Sequence, residues 1–535
     1  MKHEHVIVVG GGMAGMTAAA YLAKEAKSVI LFEKSNQLGG LVNSYNRKGY
    51  TFDGGIRSIE NSGIVFPMLK QLGIEVDFVK SNVSIGIEKD VIKLKDENSL
   101  AVYRDFLVRH FPHQEDEIDN IMSEIKKIMG YMDMLYGIDN PVFKDLKKDP
   151  VYLRKVMLPW LVKYMFTIGK ILKLNEPVDD YILKFTKDQP LIDIIVQHFF
   201  QKTPAFFALS YFSLYLDYHY PRGGTGTLAK KMEEYLRENH VDIKTKTLIS
   251  SVNPETRQII DVNGNKFNYS ALVWAADLKS LYNMISVNSL GNAKIKKTVL
   301  SKQNELKNLR GGDSVLTLNL GMNKPKEYFA DLCSEHFFYT PLKDGLSRAR
   351  SEEFDALMKD PDSYTPEQSK KIIKDHLNKF FLYNTYEISF PVLRDETLAP
   401  EGKTGAVIST LFDYKLTKII EKAGWYDEFK IFAEDCMIKT LEDSIFPGLN
   451  SYIEERFSST PISLEKYTLN TDGAITGWAF TNPHIPVIHK MTKMFSSYKT
   501  PLPNIHKAGQ WSYSPSGLPI AVLTGKLAAD KIIKS

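Results

Sequence analysis

This chain of 535 residues contains little of what several classes of protein need. Its two cysteines, Cys333 and Cys436, are too few for a disulfide framework or a thiolate metal site. Its histidines show no metal-ligand spacing. Lys and Arg exceed Asp and Glu by four charges, too few over this length to predict a nucleic-acid groove. We therefore expect no metal site and no nucleic-acid partner.

Long apolar runs are also missing, so no membrane-spanning helix is expected. Residues 5–23 are apolar and resemble a signal-peptide core, but Gly10–Gly12 would break such a helix and suit a strand, turn and helix. We expect a cytoplasmic protein. The length is about three to four times that of a modal domain, which predicts more than one domain or one large composite fold.

A strand, a glycine-rich turn, a helix and a second strand follow one another at the amino terminus. Val6–Val9 is a continuous apolar run, typical of a strand covered on both faces in a parallel sheet. Met16–Ala26 is an alanine-rich helical stretch, and Ser28–Phe32 is a second buried strand. This order predicts the unit that begins a dinucleotide-binding fold.

The turn itself has the spacing G-x-G-x-x-G. Gly10 permits the tight turn, Gly12 lets a pyrophosphate approach the backbone, and Gly15 lets the helix pack on the strand. Glu33 ends the second strand about 20 residues later, where a carboxylate can accept both ribose hydroxyl protons. A turn without a ligand would leave Glu33 unexplained, so we predict a dinucleotide site.

The residues after Glu33 favour FAD over NAD. Lys34–Val42 contains the pair Gly39 and Gly40, and Tyr50–Gly55 adds a strand and another glycine pair. This order resembles the flavin-containing amine oxidase and phytoene desaturase superfamily, in which FAD lies extended along these segments. The resemblance implies non-covalently bound FAD.

Further segments resemble that superfamily. They are Tyr220–Leu228, Val241–Val252, Leu272–Asp277, Phe390–Lys403 and Ala508–Ala529. Val241–Val252 is similar to the strand whose backbone grips the adenine. The G-Q-W form within Ala508–Ala529, together with Phe390–Lys403, is most similar to carotenoid desaturases, retinol saturase and their bacterial relatives.

In such proteins the closing motif places a helix beneath the flavin ring. Here that helix would begin near Leu518, with Pro519 in its first turn, and would direct its positive end at the ring. Two departures stand out. Arg57 replaces a common His, and Ser514–Pro519 reads S-P-S-G-L-P where relatives carry P-G-G-G-L-P.

The resemblance implies an α/β fold with a Rossmann-like, glutathione-reductase-like FAD-binding domain and an interleaved α+β substrate domain. We expect the first to comprise 1–80, 216–285 and 486–535, and the second 81–215 and 286–485. The sequence has no second G-x-G-x-x-G after another strand, so we expect no separate NAD(P) domain. The expected cofactor-binding residues are Gly10, Gly12, Met13, Ala14, Gly15, Glu33, Lys34, Gly39, Gly40, Leu41, Gly55, Ile56, Arg57, Ile249, Ala275, Gly509, Gln510, Gly517 and Leu518.

Two substrate-side segments each allow two interpretations. Val151–Leu174 has five basic residues, no acidic one and many apolar ones, so it fits either a helix in a bilayer interface or a partly exposed helix over the core. His198–Phe212 is heavily aromatic and fits either core or a tunnel for a long apolar ligand.

The resemblance implies an FAD-dependent oxidoreductase that acts on a carbon–carbon double bond of a carotenoid, retinoid or unsaturated fatty acid. Saturation and desaturation share every motif above. A double-bond isomerase, an amine oxidase and a non-catalytic isoprenoid carrier are the alternatives. Arg57 is the candidate catalytic residue, as an electrostatic partner of the ring or of an anionic group, against an ordinary surface salt bridge.

Overall fold

The computed structural model describes residues 5–96 and 98–535. The strands, numbered in chain order, are β1 His5–Val9, β2 Val29–Phe32, β3 Ser44–Arg47, β4 Tyr50–Asp53, β5 Ile59–Glu60, β6 Phe78–Lys80, β7 Val83–Ile87, β8 Asp90–Leu94, β9 Tyr218–Pro221, β10 Asp242–Lys244, β11 Ile249–Asn253, β12 Gln258–Asp261, β13 Lys266–Trp274, β14 Ser314–Met322, β15 His336–Thr340, β16 Tyr386–Ser389, β17 Thr404–Phe412, β18 Ile453–Ser459 and β19 Ile505–Lys507.

The α-helices are α1 Met13–Lys24, α2 Val65–Leu72, α3 Ser99–His110, α4 Glu115–Tyr136, α5 Pro150–Tyr152, α6 Leu158–Ile171, α7 Val178–Ile182, α8 Gln189–Val196, α9 Ala205–Tyr215, α10 Gly226–Glu238, α11 Leu278–Asn283, α12 Ala293–Leu306, α13 Lys326–Leu332, α14 Glu352–Lys359, α15 Pro366–Tyr383, α16 Tyr414–Lys422, α17 Tyr426–Ser444, α18 Leu449–Tyr452, α19 Pro461–Thr468 and α20 Leu518–Ile533.

The first large sheet carries the amino-terminal unit. Its order is β10-β2-β1-β13-β12-β11, and β19 also pairs with β13. The strands β10, β2, β1, β13 and β19 run parallel, whereas β12 and β11 are antiparallel. Because β1 is central and covered on both faces, its side chains from Val6 to Val9 are all buried. Helices α1 and α20 pack so closely on each other that a Cβ added at Gly525 would lie 2.3 Å from Ala14 O.

The second large sheet has the order β18-β14-β17-β16-β15-β7-β8. It is antiparallel except where β15 pairs with β7. Apolar residues of α15 and α17 pack on its central strands, and those of α3, α4, α8 and α9 pack around β7 and β8. This arrangement is of the α+β type.

Two smaller sheets are formed by strands that the two large sheets do not use. The hairpin β3-β4 follows the dinucleotide turn, and β5-β9-β6 forms a three-stranded sheet. Glu60 in β5 pairs with Tyr218 in β9, directly after α9. These short strands bring residues 50–60 next to residues 205–221.

The local predictions need three changes of boundary. The first helix begins at Met13, because helical backbone starts directly after Gly12, and it ends at Lys24. The second strand begins at Val29. The single strand expected over Val241–Val252 is wrong: the segment forms two strands, β10 and β11, because the chain turns at Lys246, whose φ is +53°.

Throughout residues 5–96 and 98–535, no helix combines the length and apolar character required to cross a bilayer.

Candidate functional site

The three glycines of the amino-terminal turn have different surroundings. Gly10 has a φ of +104°, and a Cβ added there would lie 2.6 Å from Ala275 O. A Cβ added at Gly15 would lie 1.9 Å from Gly10 O, so this glycine allows α1 to pack on the turn. Gly12 has no atom within 4 Å of such a Cβ. The open space at Gly12, at the start of α1, is where backbone N–H groups can receive an anion.

Glu33 lies at the end of β2 beside this turn. Its Oε2 accepts a hydrogen bond from Gly11 N at 2.8 Å, and its Oε1 accepts one from Ser35 N at 2.7 Å. These bonds fix the carboxylate in the wall of the cavity described next. The neighbouring Lys34 donates to backbone carbonyls of Lys466 and Tyr467, so its ammonium is tied to the α19 region.

A cavity of about 490 Å³ runs from this turn into the protein. Every predicted cofactor-binding residue except Gly15 contributes to its wall. These residues are Gly10, Gly12, Met13, Ala14, Glu33, Lys34, Gly39, Gly40, Leu41, Gly55, Ile56, Arg57, Ile249, Ala275, Gly509, Gln510, Gly517 and Leu518. Segments far apart in sequence therefore form one continuous surface.

The carboxy-terminal segment forms one wall of the cavity as the closing motif implies. Strand β19 ends at Lys507, and Gly509 N donates to Thr524 Oγ1 of α20 at 2.9 Å. Helix α20 begins at Leu518, with Pro519 in its first turn, and both residues line the cavity. The amino-terminal end of α20, with its positive partial charge, thus borders the cavity.

Arg57 is buried, so it forms no surface salt bridge. Its guanidinium donates to Gly55 O at 2.5 Å and to Ser409 Oγ. Ser409 Oγ in turn lies 2.7 Å from Thr317 Oγ1, which joins the loop after β4 to the central strands of the second sheet. Two strands of that sheet therefore hold a cation in the cavity wall.

A carboxylate and a histidine lie beside this cation. His336 Nε2 is 3.2 Å from Glu387 Oε1, and Ser58 Oγ is 3.3 Å from His336 Nδ1. Burial lowers the pKa of His336, which favours its neutral form. Burial raises the pKa of Glu387, but the charge of Arg57 and the contact with His336 outweigh it and bring this pKa to about 2. Glu387 is therefore ionised.

Aromatic side chains form a further part of the cavity wall. Phe200, Phe207, Tyr211 and Tyr218 line the cavity, and burial raises the pKa of both tyrosines well above its ordinary value. Other residues of the 198–212 segment line a separate small apolar cavity, where His198 Nε2 lies 3.0 Å from Tyr215 Oη. The aromatic segment therefore contributes both to cavity walls and to the core, and its role as a tunnel stays a prediction.

The chain is similar over most of its length to enzymes of polyene metabolism. Residues 8–72 match the family model of the NAD(P)-binding Rossmann-like domain. A chloroplastic prolycopene isomerase of Daucus carota is 25% identical, covering 88% of this chain and 71% of its own. An all-trans-retinol 13,14-reductase of Danio rerio is 22% identical, covering 94% and 82%. A 1-hydroxycarotenoid 3,4-desaturase of Flavobacterium is 22% identical, covering 99% of both chains.

Solved structures support the fold. An oxidoreductase from Methanosarcina mazei aligns over 99% of this chain and 100% of its own with a TM-score of 0.59 and 12% identity. A putrescine oxidase bound to putrescine aligns over 99% of both chains with a TM-score of 0.58 and 13% identity. Over most of its length the chain is thus similar to carotenoid isomerases, retinol reductases and carotenoid desaturases, as the predicted resemblance implies. The predicted fold class, FAD cofactor and oxidoreductase activity are confirmed.

In this flavoprotein the cavity provides what FAD requires. Gly12 leaves room for a diphosphate, and Glu33 presents carboxylate oxygens beside it. The cavity walls also contain buried polar atoms that have no hydrogen-bond partner in the described part of the chain, namely Arg57 Nε, Asn319 Oδ1, His336 Nε2 and Ser516 Oγ. Such atoms are costly unless a ligand or water satisfies them. The residues present therefore fit the cofactor.

Two segments that resemble the family meet beneath the cavity. Gly223 N donates to Asp395 Oδ2 at 2.7 Å, and the Arg394 guanidinium lies 4.6 Å from the centre of the Tyr220 ring. Tyr220 Oη in turn donates to Asp53 Oδ2 at 2.8 Å. The Phe390–Lys403 segment thus packs on Tyr220, which in turn is bonded to Asp53 at the end of β4.

Several cavity residues are not predicted from the sequence. Glu60, His336, Glu387 and Asn319 also line the cavity. Glu387 precedes the recognised Phe390–Lys403 segment by three residues and Glu60 follows Arg57 by three, but neither has a motif of its own. Only the pairing of β5, β15 and β16 with their neighbours places these side chains in one cavity.

The basic and apolar helix α6 lies at the protein surface. Val162, Met165 and Phe166 are 55%, 70% and 78% exposed. Lys163 and Lys170 are exposed as well. On the opposite side of α6, Trp160 Nε1 donates to Met134 O at 2.6 Å, next to the cavity residue Met132 in α4. The exposed surface of α6, defined by these five exposed residues, therefore lies on the side of the helix that faces away from α4 and its cavity residue Met132.

Proposed function

We propose that this protein binds FAD non-covalently and acts on a carbon–carbon bond of a lipophilic polyene, either a carotenoid or a retinoid. One observation carries the proposal: the cavity that begins at the dinucleotide turn continues into a compartment walled by Phe200, Phe207, Tyr211 and Tyr218. Apolar walls with a few placed polar groups are typical of sites for apolar ligands. The names of the relatives support a polyene as this ligand.

The residues of the cavity divide the work of holding the cofactor. The N–H groups after Gly12 would receive the diphosphate and Glu33 the ribose hydroxyls, while the Gly55–Arg57 loop and the start of α20 would border the ring. When bound, FAD supplies hydride exchange at its ring. The positive end of α20 favours negative charge on that side of the cavity, as does the buried Arg57 cation.

This aromatic compartment, the substrate end of the cavity, would hold an apolar chain away from water. Its rings pack on one another, with the ring centres of Phe207 and Tyr211 5.5 Å apart. Exclusion of water strengthens the electrostatic action of Arg57 and Glu387 on a bound double bond. These residues orient the reacting bond and stabilise charge that develops on it.

The exposed surface of α6 supports contact with a bilayer as the source of the substrate. Phe166 and Met165 would enter the acyl boundary, while Lys163 and Lys170 would meet anionic headgroups. No acidic residue interrupts residues 151–174. A polyene would then pass from the bilayer to the cavity along α6 and α4, without crossing water.

Anaerobic half-reactions test the proposal. The holoprotein, oxidised or reduced with dithionite, is mixed with carotenoids, retinoids and unsaturated fatty acids while the flavin spectrum and the lipid products are followed. We expect a polyene to reoxidise the reduced flavin as a saturase substrate or to bleach the oxidised one as a desaturase substrate.

A geometric isomer formed without net flavin oxidation would identify the isomerase alternative, which the Daucus carota relative favours. Failure of every unsaturated lipid, with bleaching by an amine, would overturn the proposed substrate in favour of amine oxidation. Binding of an isoprenoid by a protein that cannot be loaded with FAD would identify a carrier.

A further inference from the structure

Glu60 is a carboxyl group placed in the substrate end of the cavity. It ends the short strand β5, three residues after Arg57, and it pairs with Tyr218 of β9. Its side chain lines the same cavity as Glu387, Tyr211 and Tyr218. Strand pairing on one side and the Arg57 loop on the other fix its position.

The two carboxyl groups of this compartment have opposite environments. Glu387 faces the Arg57 cation and His336, which keep it ionised. Glu60 faces the negative charges of Asp217 and Glu387; burial, which contributes most, and these charges raise its pKa to about 7. Carboxyl groups whose environments separate their pKa values in this way commonly divide into a fixed anion and a proton-transfer group.

Other groups near Glu60 are unsuited to transfer protons at neutral pH. Tyr211 and Tyr218 have strongly raised pKa values, so they keep their protons. Arg57 stays charged as a guanidinium. Burial lowers the pKa of His336, so its ring holds no extra proton to donate at neutral pH. Asp217 accepts the N–H groups of Asn61 and Ser62 and is not part of the cavity wall.

We propose that Glu60 is the proton donor and acceptor of the reaction, with Glu387 as a fixed anion in the same cavity wall. This inference rests on the proposed function. It assigns the proton in a reaction whose hydride the cofactor supplies or accepts.

The atoms and electrons balance in each direction. In saturation, one carbon of the double bond gains a hydride with its electron pair from the reduced cofactor. The π electron pair forms a bond from the other carbon to the proton of the Glu60 carboxyl, whose O–H bond breaks. Water then returns a proton to the carboxylate. In desaturation the Glu60 carboxylate accepts the proton that leaves carbon as the hydride departs to the oxidised cofactor.

The variant Glu60→Gln tests this role, because glutamine has nearly the same shape but cannot donate a proton. We expect normal FAD absorption and a turnover at least about 100-fold lower, the lower range for loss of a general acid or base. Glu60→Asp should restore part of the rate. Glu25→Gln at the exposed end of α1 serves as the matched control and should behave as wild type.

The variant Glu387→Gln separates proton transfer from a structural role. Removing that negative charge should move the Glu60 titration, and the pH–rate profile with it, to lower pH. The titration itself is followed by infrared spectroscopy of the oxidised holoprotein without substrate. A carboxyl signal with a midpoint near pH 7 is expected in wild type and should be absent in Glu60→Gln.

Wild-type turnover and an unchanged pH profile in Glu60→Gln would overturn the proton role of Glu60 and leave the proposed function intact. A Glu60 carboxyl that titrates in the ordinary range of glutamate would have the same consequence. A wild-type holoprotein that converts no polyene would overturn the proposed function itself, and the proton role with it.

Discussion

The two ends of the cavity are built in different ways. At the cofactor end the backbone forms the surface, through Gly10, Gly12 and the start of α1, with Glu33 as the main charged side chain. At the substrate end side chains form it, and the charged ones come from β5, β16 and the loop that holds Arg57. A surface made by the backbone can bind a cofactor with little dependence on the side chains. A surface made by side chains can be adapted to a particular substrate and reaction.

The largest expected effects come from the glycines of the cofactor end. Gly12→Val should abolish FAD binding without unfolding the protein, because its side chain enters open space that the diphosphate needs. Gly15→Ala should instead lower the free energy of unfolding by about 3 kcal/mol, because its Cβ meets Gly10 O. Flavin absorption after reconstitution and chemical denaturation of the cofactor-free protein separate the two results.

The matched control is Gly130→Val, since Gly130 in the exposed part of α4 also has open space around an added Cβ. It should retain both FAD and stability to within about 1 kcal/mol. If Gly12→Val binds FAD as wild type does, the backbone surface is not the diphosphate site.

The charged groups of the substrate end give the next effect. Arg57→Met should lower the free energy of unfolding by about 3 kcal/mol, because it leaves Glu387 without its cation in the cavity wall. Adding Glu387→Gln to Arg57→Met should recover part of this loss. Denaturation of the two single variants and the double variant measures the coupling. Additive effects would mean that the two charges do not interact.

The pH dependence of stability should differ between wild type and Glu60→Gln. The pKa of Glu60 is about 7 in the folded protein against an ordinary value of 4.5, so the folded state holds the proton more tightly. Its contribution to stability is present below pH 4.5 and is lost as the pH rises through 7, by about 3 kcal/mol in all. Denaturation from about pH 4.5 to about pH 7.5 should show this decline in wild type and a smaller one in Glu60→Gln. Parallel curves would contradict the raised pKa.

The smallest expected effect concerns the exposed surface of α6. Replacing Lys163 and Lys170 by Gln should weaken binding to vesicles that contain anionic lipid by roughly 30-fold, since each lysine contributes about 1 kcal/mol near such a surface. Replacing Lys294 and Lys297, which are exposed on α12, by Gln is the charge-matched control. Vesicle sedimentation measures both pairs. Equal losses in the two would indicate a general charge effect rather than a bilayer-facing helix.

The contrast between the two ends also explains what the sequence could predict. The glycine spacing, Glu33 and the start of α20 at Leu518 are local patterns, and the structure has each of them where a local pattern places it. Glu60 and Glu387 come together only because β5 pairs with β9 and β16 lies beside β15. Such long-range pairing has no local signal. The turn at Lys246 divides one expected strand into two. This turn is local, but lysine is not a typical turn residue, so the sequence gives no sign of its positive φ.

The visible spectrum of the purified protein after reconstitution with excess FAD tests the central claim most directly. The account predicts oxidised-flavin absorption at one equivalent in wild type and none in Gly12→Val. A wild-type protein that remains colourless under these conditions would contradict the assignment of the cavity and all the chemistry that depends on it.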